Sequence, residues 1–355
     1  MPAFGDGGVE RMLVNLATGL DARGVTVDFL VVSRQAPYLD RLPPGVELVL
    51  LDRGLRLLPS LIRYLKARQP SHVLTGKDDA ARTALRARWL SGGRFKLLLR
   101  VGTNIPQSVA SRSPLKRWRT LRKVRFLFSR ADAVIANSRG VAAGIEGLFP
   151  GIQPRVIRNP TIIPELERLA VEALPHPWFG PGQPPVILGV GRLVRAKGFD
   201  TLIRAFARVR GQRPCRLLIL GKGHLLAELG ALGERLSVGE DVAFPGFVNN
   251  PYAYLARASL FVLSSRWEGA PNALVEALAL GTPSVATDCH SGPREILQDG
   301  RYGPLVLVDD VEALAAVMLA TLDNPLPAAT LREAAADYTL AASAQHYHEL
   351  LESLS

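Results

Sequence analysis

The sequence predicts an α/β protein of two doubly wound domains, each a parallel sheet with helices on both faces. Three observations carry that prediction. Short β-branched runs alternate with segments of helical apolar spacing along the whole chain, the pattern from which parallel sheets are built. The alternation runs once, breaks, and starts again at the proline-rich stretch 175–185, PHPWFGPGQPP, which cannot hold a helix because proline lacks the N–H and clashes with the preceding turn. At 355 residues the chain is also too long for one ordinary core and comfortable for two.

In chain order, Gly8–Asp21 carries Met12, Leu13, Leu16, Ala17 and Leu20 at helical spacing, and the run VTVDFLVV at 25–32 reads as a strand. Residues 46–51, His72–Thr75, Lys96–Val101 and Ala133–Ala136 read as further short buried strands, with helical patterns at 59–68 and 79–90. The second half repeats the arrangement, with strands at 185–190, 217–220, 242–244, Leu260–Leu263, 282–287 and 305–308. Helical patterns at 199–209, 225–236, Asn272–Ala279 and 310–322 separate them. The boundary falls within 164–185, giving domains 1–164 and 165–336. The tail 337–355 is helical in pattern and could cross back to the first domain. One element is short: a strand should lead into the glycine turn Gly5-Asp6-Gly7-Gly8, yet only four residues precede it. That strand is central in a doubly wound sheet, so about ten further residues are expected upstream.

Apolar content of 48% fills two cores and excludes intrinsic disorder. Two cysteines exclude a disulfide scaffold and a four-cysteine zinc site, and fit a reduced compartment. No basic n-region with an apolar h-region opens the sequence, and no run approaches the ~18 apolar residues of a membrane span. A cytoplasmic protein is expected, at most resting on the inner face of the plasma membrane. The net charge of +11 is uneven: 27 basic against 11 acidic residues through Pro164, and 16 against 21 beyond it. Two halves of opposite sign suggest two domains with different partners.

The residues that carry chemistry lie in the second half. Glu268 and Glu276 stand eight positions apart directly after the strand at Leu260–Leu263, with Pro271 where a helix can begin. Glu268 would then lie in the loop at the strand's carboxyl end, and Glu276 would face the same crevice from about one turn into the helix. The amide groups of Asn272, Ala273 and Leu274 would point at an anion there. Arg192 and Lys197 follow the strand at 185–190 and supply two cations at a neighbouring strand end. Carboxylates suit sugar hydroxyls, and cations with a helix N-terminus suit a diphosphate. Together they describe a nucleotide-sugar site.

With these residues in view, the chain resembles the family 4 retaining glycosyltransferases of the GT-B fold. The pair Glu268 and Glu276 resembles that family's E-x7-E motif, and the pattern continues through Gly281-Thr-Pro-Ser and Ser291-Gly-Pro-Arg-Glu-Ile-Leu297. Residues 5–20, 131–138, 156–160 and 189–201 are also similar, so the resemblance covers effectively the whole chain. It implies two Rossmann-like domains facing across a cleft, an acceptor side at 1–164 and a donor side at 165–336. It implies that Arg192 and Lys197 hold the donor diphosphate, that Glu276 holds the ribose hydroxyls, and that Glu268 contacts the donor sugar. Gly269, Ala270, Pro271, Asn272, Ala273 and Leu274 would line the donor, Gly246, Phe247 and Val248 would meet the base, and Gly8 would let the amino-terminal loop approach the phosphates. No metal and no cofactor is implied; the donor, UDP-linked by resemblance, is a substrate. The expected function is transfer of a sugar, with retention, to a lipid-linked or polysaccharide acceptor in cell-envelope glycan synthesis. The chain departs from the family pattern after Lys96–Val101, where many members have a histidine; Thr103 or Asn104 would take its place on the acceptor side. Two other readings compete: a non-catalytic glycosyltransferase-like binding protein, and a nucleotide-sugar epimerase of the same fold.

Simpler readings apply elsewhere. Gly189-Val-Gly191 and Gly221-Lys-Gly223 lack the third glycine of a dinucleotide fingerprint and read as tight strand-to-helix turns. His346 and His348 face opposite sides of a helix, which argues against metal ligation, while His290 lies near the expected donor crevice. Cys215 and Cys289 read as small apolar residues. Arg112, Lys116, Arg117, Arg119, Arg122, Lys123, Arg125 and Arg130 surround an apolar stripe of Leu115, Trp118, Leu121, Val124 and Phe128. Either the stripe packs on the sheet beneath solvated arginines, or residues 112–130 meet an anionic membrane surface. No recognition motif for nucleic acid accompanies the charge.

Overall fold

The computed structural model describes residues 8–35, 38–110 and 113–355. The expected strand before the glycine turn, most of that turn and Arg112 lie outside the described residues. The chain divides into two compact units, one of residues 1–161 with 338–355 and the other of residues 162–337.

In the first unit, α1 (Gly8–Asp21) precedes β1 (Asp28–Val31) and β2 (Glu47–Leu50), which pair in parallel. After α2 (Leu57–Arg68), β3 (His72–Thr75), α3 (Asp78–Ser91) and β4 (Lys96–Val101) follow. Next come α4 (Ile105–Ala110), α5 (Pro114–Phe128), β5 (Ala133–Ala136), α6 (Arg139–Leu148) and the two-residue β6 (Arg155–Val156). Strands β3, β4, β5 and β6 form a second parallel sheet in that order. An apolar groove of about 530 Å³ separates the two sheets, with Leu16, Val27, Phe29, Val73, Leu74 and Leu98 among its walls.

The second unit holds a single six-stranded parallel sheet. Its elements run α7 (Leu166–Ala170), β7 (Val186–Val190), α8 (Phe199–Arg210), β8 (Arg216–Leu220), α9 (Leu226–Arg235), β9 (Val242–Gly246), α10 (Tyr252–Arg257) and β10 (Leu260–Leu263). They continue through α11 (Asn272–Ala279), β11 (Ser284–Thr287), α12 (Pro293–Ile296), β12 (Leu305–Val306), α13 (Val311–Asp323) and α14 (Ala328–Glu333). The strand order is β12-β11-β10-β7-β8-β9. Successive strands therefore step outward from β7 in one direction and from β10 in the other, so the order reverses between β7 and β10. Open α/β sheets bind ligands at that reversal, outside the strands' carboxyl ends. The expected strands at 242–244 and 282–287 occupy Val242–Gly246 and Ser284–Thr287. In the proline-rich stretch only one 3₁₀ turn, Pro177–Phe179, forms.

The final helix α15 (Leu340–Leu354) belongs to the first unit and packs along α1. Tyr347 and Leu350 join Met12, Leu16, Leu98 and Ile135 in one core. Gly19 on α1 permits this approach, since a Cβ there would lie 2.7 Å from the Cβ of Ala344. The buried Arg100 on β4 donates to Asn159 Oδ1 at 2.7 Å and lies near the Tyr347 phenol. Burial pushes the Tyr347 phenol up to about 12 and pulls Arg100 below its usual value.

The apolar stripe on α5 does not pack as one surface. Val124 and Phe128 are buried together with Leu127, but Leu115 and Trp118 are exposed. Half the stripe joins the core; the other half faces solvent.

Candidate active site

The sheet of the second unit places the expected donor residues on adjacent strand ends. β7 runs into the loop 191–197, which carries Arg192 and Lys197, and β10 runs into the loop 264–271, which carries Glu268. The neighbouring turns interlock through the backbone. Gly191 N–H donates to Leu220 O at 2.9 Å, Leu193 N–H to Lys222 O at 2.8 Å, and Gly221 N–H to Gly246 O at 2.8 Å. Gly221 sits at φ +140°, and a Cβ there would strike the Gly191 carbonyl, so this turn requires glycine. The Gly-x-Gly pairs thus act as close-packed turns.

Lys197 and Glu268 meet directly. Lys197 Nζ donates to Glu268 Oε1 at 2.5 Å, and the same oxygen accepts from Ser265 Oγ at 2.6 Å. The Lys197 side chain is 21% exposed and that of Glu268 11%, so both reach the surface from a largely desolvated position. Two serines fix the backbone of these loops: Ser264 Oγ donates to Lys197 O and Ser291 Oγ to Glu268 O, each at 2.9 Å. Gly198, at φ +59°, lies so close to the Ser264 carbonyl that a Cβ there would collide with it.

Arg266, which the sequence did not single out, ties the two loops together. Its backbone N–H donates to Ala196 O at 2.8 Å and its Nη1 to Arg195 O at 3.0 Å. The guanidinium forms a two-pronged pair with Asp200, at 2.9 and 2.7 Å, and a further pair with Asp309. Hydrogen bonding to Asp200 raises the Arg266 pKa, so the group stays charged. Burial works to raise the carboxyls of Asp200 and Asp309, but their bonds to Arg266 outweigh it and hold both below the usual range. The one sequence signal for this buttress is position: Ser264, Ser265 and Arg266 lie between the strand and Glu268.

The remaining expected residues distribute as follows. Pro271 is buried at the N-cap position of α11, and Asn272 begins the helix. Gly269 is buried, while Ala270, Asn272 and Ala273 are half-buried and Leu274 is fully in the core. Glu276 is 1% exposed, so the expected crevice-facing carboxylate is instead sealed inside, because the short α11 packs all of Leu274–Leu278. Gly246 ends β9, and Phe247 follows with the Lys222 ammonium 5.8 Å from its ring centroid, a cation the sequence reading did not use. Arg192 and His290 are exposed. Burial pushes the Cys289 thiol up to about 12, with the Glu268 charge adding to it, as fits a buried apolar cysteine. In the first unit, Gly8 is the exposed first residue of α1 and Thr103 is exposed. Asn104 is buried and its side-chain oxygen accepts from Gln107 N–H, a local helix cap. Among the described residues no cluster of three His, Cys, Asp or Glu could hold a metal ion, and no helix is long and apolar enough to cross a membrane.

A six-stranded parallel sheet with cations and carboxylates gathered at its order reversal defines a doubly wound α/β domain. The chain belongs to the family 4 glycosyltransferases and has the GT-B fold: residues 6–162 match the profile described as Glycosyltransferase Family 4, and residues 172–338 that described as Glycosyl transferases group 1. It is 29% identical over 333 residues to the lipopolysaccharide core biosynthesis glycosyltransferase LpsE of Rhizobium meliloti, covering 90% of this chain and 87% of that protein. It is 36% identical over 191 residues to the N-acetylgalactosamine-N,N'-diacetylbacillosaminyl-diphospho-undecaprenol 4-alpha-N-acetylgalactosaminyltransferase of Campylobacter jejuni, covering 54% of this chain. That match spans about half of the Campylobacter protein (51%), and a further relative is matched over 60% of its length. Among solved structures, Anabaena Alr3699/HepE in complex with UDP and glucose superposes with a TM-score of 0.79 at 20% identity, over 99% of this chain and 98% of that one.

Proposed function

We propose that the protein transfers a sugar from a nucleotide-diphosphate donor, UDP-linked, to a lipid-linked or polysaccharide acceptor in cell-envelope glycan synthesis. The observation that carries this reading is the Lys197–Glu268 pair at the point where the sheet order reverses. Lys197 and Arg192 would neutralise the donor diphosphate, helped by the amino-terminal end of α11. Glu268, already held by Lys197 and Ser265, would accept hydrogen bonds from the donor sugar.

The chemistry that suits this arrangement is same-face substitution. The bond from the sugar C1 to the phosphate oxygen breaks, the acceptor oxygen attacks from the same side, and its proton passes to the departing phosphate oxygen. Lys197 and Arg192 stabilise the charge that develops on that phosphate, the step a preorganised cationic site accelerates most. The work done by Lys197 and Arg192 requires no metal ion. Supporting the acceptor class, one relative's name includes a diphospho-undecaprenol and another's lipopolysaccharide core biosynthesis. Supporting the donor, the similar Anabaena structure holds UDP and glucose. The site of action proposed is the cytoplasmic side of the plasma membrane, with residues 112–130 towards an anionic surface.

A thermal-shift screen against nucleotide sugars and free nucleotide diphosphates tests the reading, because a ligand of the native state raises its melting temperature by mass action. A UDP-sugar and UDP should both stabilise the protein. A flat response to every nucleotide would remove the donor assignment, and an epimerised donor seen by NMR would favour the epimerase.

A further inference from the structure

We infer that Lys222 selects the base of the nucleotide donor, favouring uracil by donating a hydrogen bond to a carbonyl oxygen of the base. The inference rests on the donor reading above and adds a recognition residue to it, in the turn after β8. Strand β8 lies between β7, whose loop carries Arg192, and β9, which ends at Gly246. The turn Gly221-Lys222-Gly223 is therefore bracketed by the loop proposed for the diphosphate and the stretch 246–248 expected to meet the base.

This turn presents one side chain from a fixed backbone. Gly221 N–H donates to Gly246 O, and Lys222 O accepts from Leu193 N–H, each at 2.8 Å. A Cβ at Gly221 would strike the Gly191 carbonyl and one at Gly223 the backbone of Leu193, so both neighbours of Lys222 must be glycine. The Lys222 carbonyl thus faces the β7 loop, while its side chain reaches the end of β9. There the ammonium lies 5.8 Å from the ring centroid of Phe247. A cation at that distance is attracted to the ring face, which holds the charge beside the base stretch. Lys222 is exposed and Phe247 half-buried, and among the described residues no carboxylate pairs with Lys222. Its N–H groups are available to a ligand.

The ammonium offers three donors and no acceptor. It suits a base edge that presents carbonyl oxygens and disfavours one that presents an amino group. Uracil carries two carbonyl oxygens; adenine carries none and offers an amino group in their place. A lysine that served only the diphosphate would strengthen the binding of every nucleotide alike, so base preference separates the two roles.

The test is calorimetric titration of wild type, Lys222→Met and Lys222→Arg with UDP, ADP and inorganic pyrophosphate. Wild type should bind UDP more tightly than ADP. Lys222→Met keeps the length of the side chain and removes its donors. It should bind UDP about tenfold more weakly, with its affinity for ADP and pyrophosphate and its melting temperature unchanged. Lys222→Arg should recover most of the preference for UDP, because a guanidinium keeps the donors and stacks on the ring. Equal weakening of UDP, ADP and pyrophosphate in Lys222→Met would make Lys222 a phosphate cation and overturn the base role, leaving the donor reading intact. Wild-type affinity for UDP in the folded Lys222→Met variant would overturn it too. Absence of any nucleotide binding by wild type would remove the donor reading and this inference together.

Discussion

Lys197 and Glu268 form an ion pair, Nζ to Oε1 at 2.5 Å, across 71 residues of sequence and two strand ends. Each charge holds the other where a donor would need it. Lys197→Ala would leave Glu268 tied only to Ser265 and remove a cation from the diphosphate site. Transfer should fall roughly 10²–10³-fold, the usual loss when one preorganised charge-stabilising group is removed. Glu268→Gln keeps the shape, so it should impair sugar discrimination more than nucleotide affinity. Steady-state rates with free nucleotide as competitor separate the two effects.

The Arg266 network predicts an acid-side signature. Asp200 and Asp309 have folded-state pKa values below their ordinary ones, so the stability they contribute is present above about pH 4 and is lost as pH falls through the lowered values. Arg266→Leu should cost roughly 1.5–3 kcal/mol at neutral pH, towards the lower end because both carboxylates are partly exposed. Urea unfolding of wild type and variant from neutral to acid pH should show that difference shrinking below about pH 4. A difference constant down to acid would mean that the carboxylates are not the partners that matter.

Gly198→Ala should disturb the site without touching a charged group. The αL conformation alone costs roughly 1–2 kcal/mol for a residue with a Cβ, and that atom would push on the Ser264 carbonyl. Because Ser264 leads into the loop that carries Glu268, donor affinity should drop together with the melting temperature. Calorimetric titration with UDP reads the first and differential scanning calorimetry the second.

The last helix should stabilise the first unit. Tyr347 is buried against Leu98 and Ile135, and its removal by Tyr347→Ala should cost about 3–5 kcal/mol, as for other large buried aromatics. Chemical denaturation should show an early transition in this variant and none of that size for the exposed Gln345→Ala.

Both cysteines should resist modification in the folded protein. Burial pushes Cys215 up to about 11 and Cys289 up to about 12, so both remain thiols at pH 8. Iodoacetamide should label them only after denaturant is added, as intact mass would show.

The legible parts of the sequence were those set by local pattern. Leu260–Leu263 and Asn272–Ala279 fall where their apolar periods place them, and Pro271 marks the helix start. That Lys197 and Glu268 lie at strand carboxyl ends on one edge of the sheet was legible from the alternation, but their ion pair was not, because it depends on the order reversal that sets β10 beside β7. What stayed hidden depends on tertiary neighbours. Arg266 looks like any surface arginine until the fold brings Asp200 and Asp309 to it. The two residues of β6 are too few for a period. The stripe on α5 has helical spacing over its whole length, but the core it meets covers only the part near Val124–Phe128. Amphipathic spacing marks the last helix, but only the close fit of Gly19 to Ala344 shows where it docks.

In the proposed reaction a nucleotide-sugar donor is held by the loops after β7 and β10. The most direct measurement is release of nucleotide diphosphate from a panel of UDP-sugars, with a polyprenyl-diphosphate-linked acceptor present, by wild type and by Lys197→Ala. Wild type should release nucleotide diphosphate from at least one donor, and release should fall roughly 10²–10³-fold in the folded variant. Undiminished release by Lys197→Ala would contradict a donor site at Lys197.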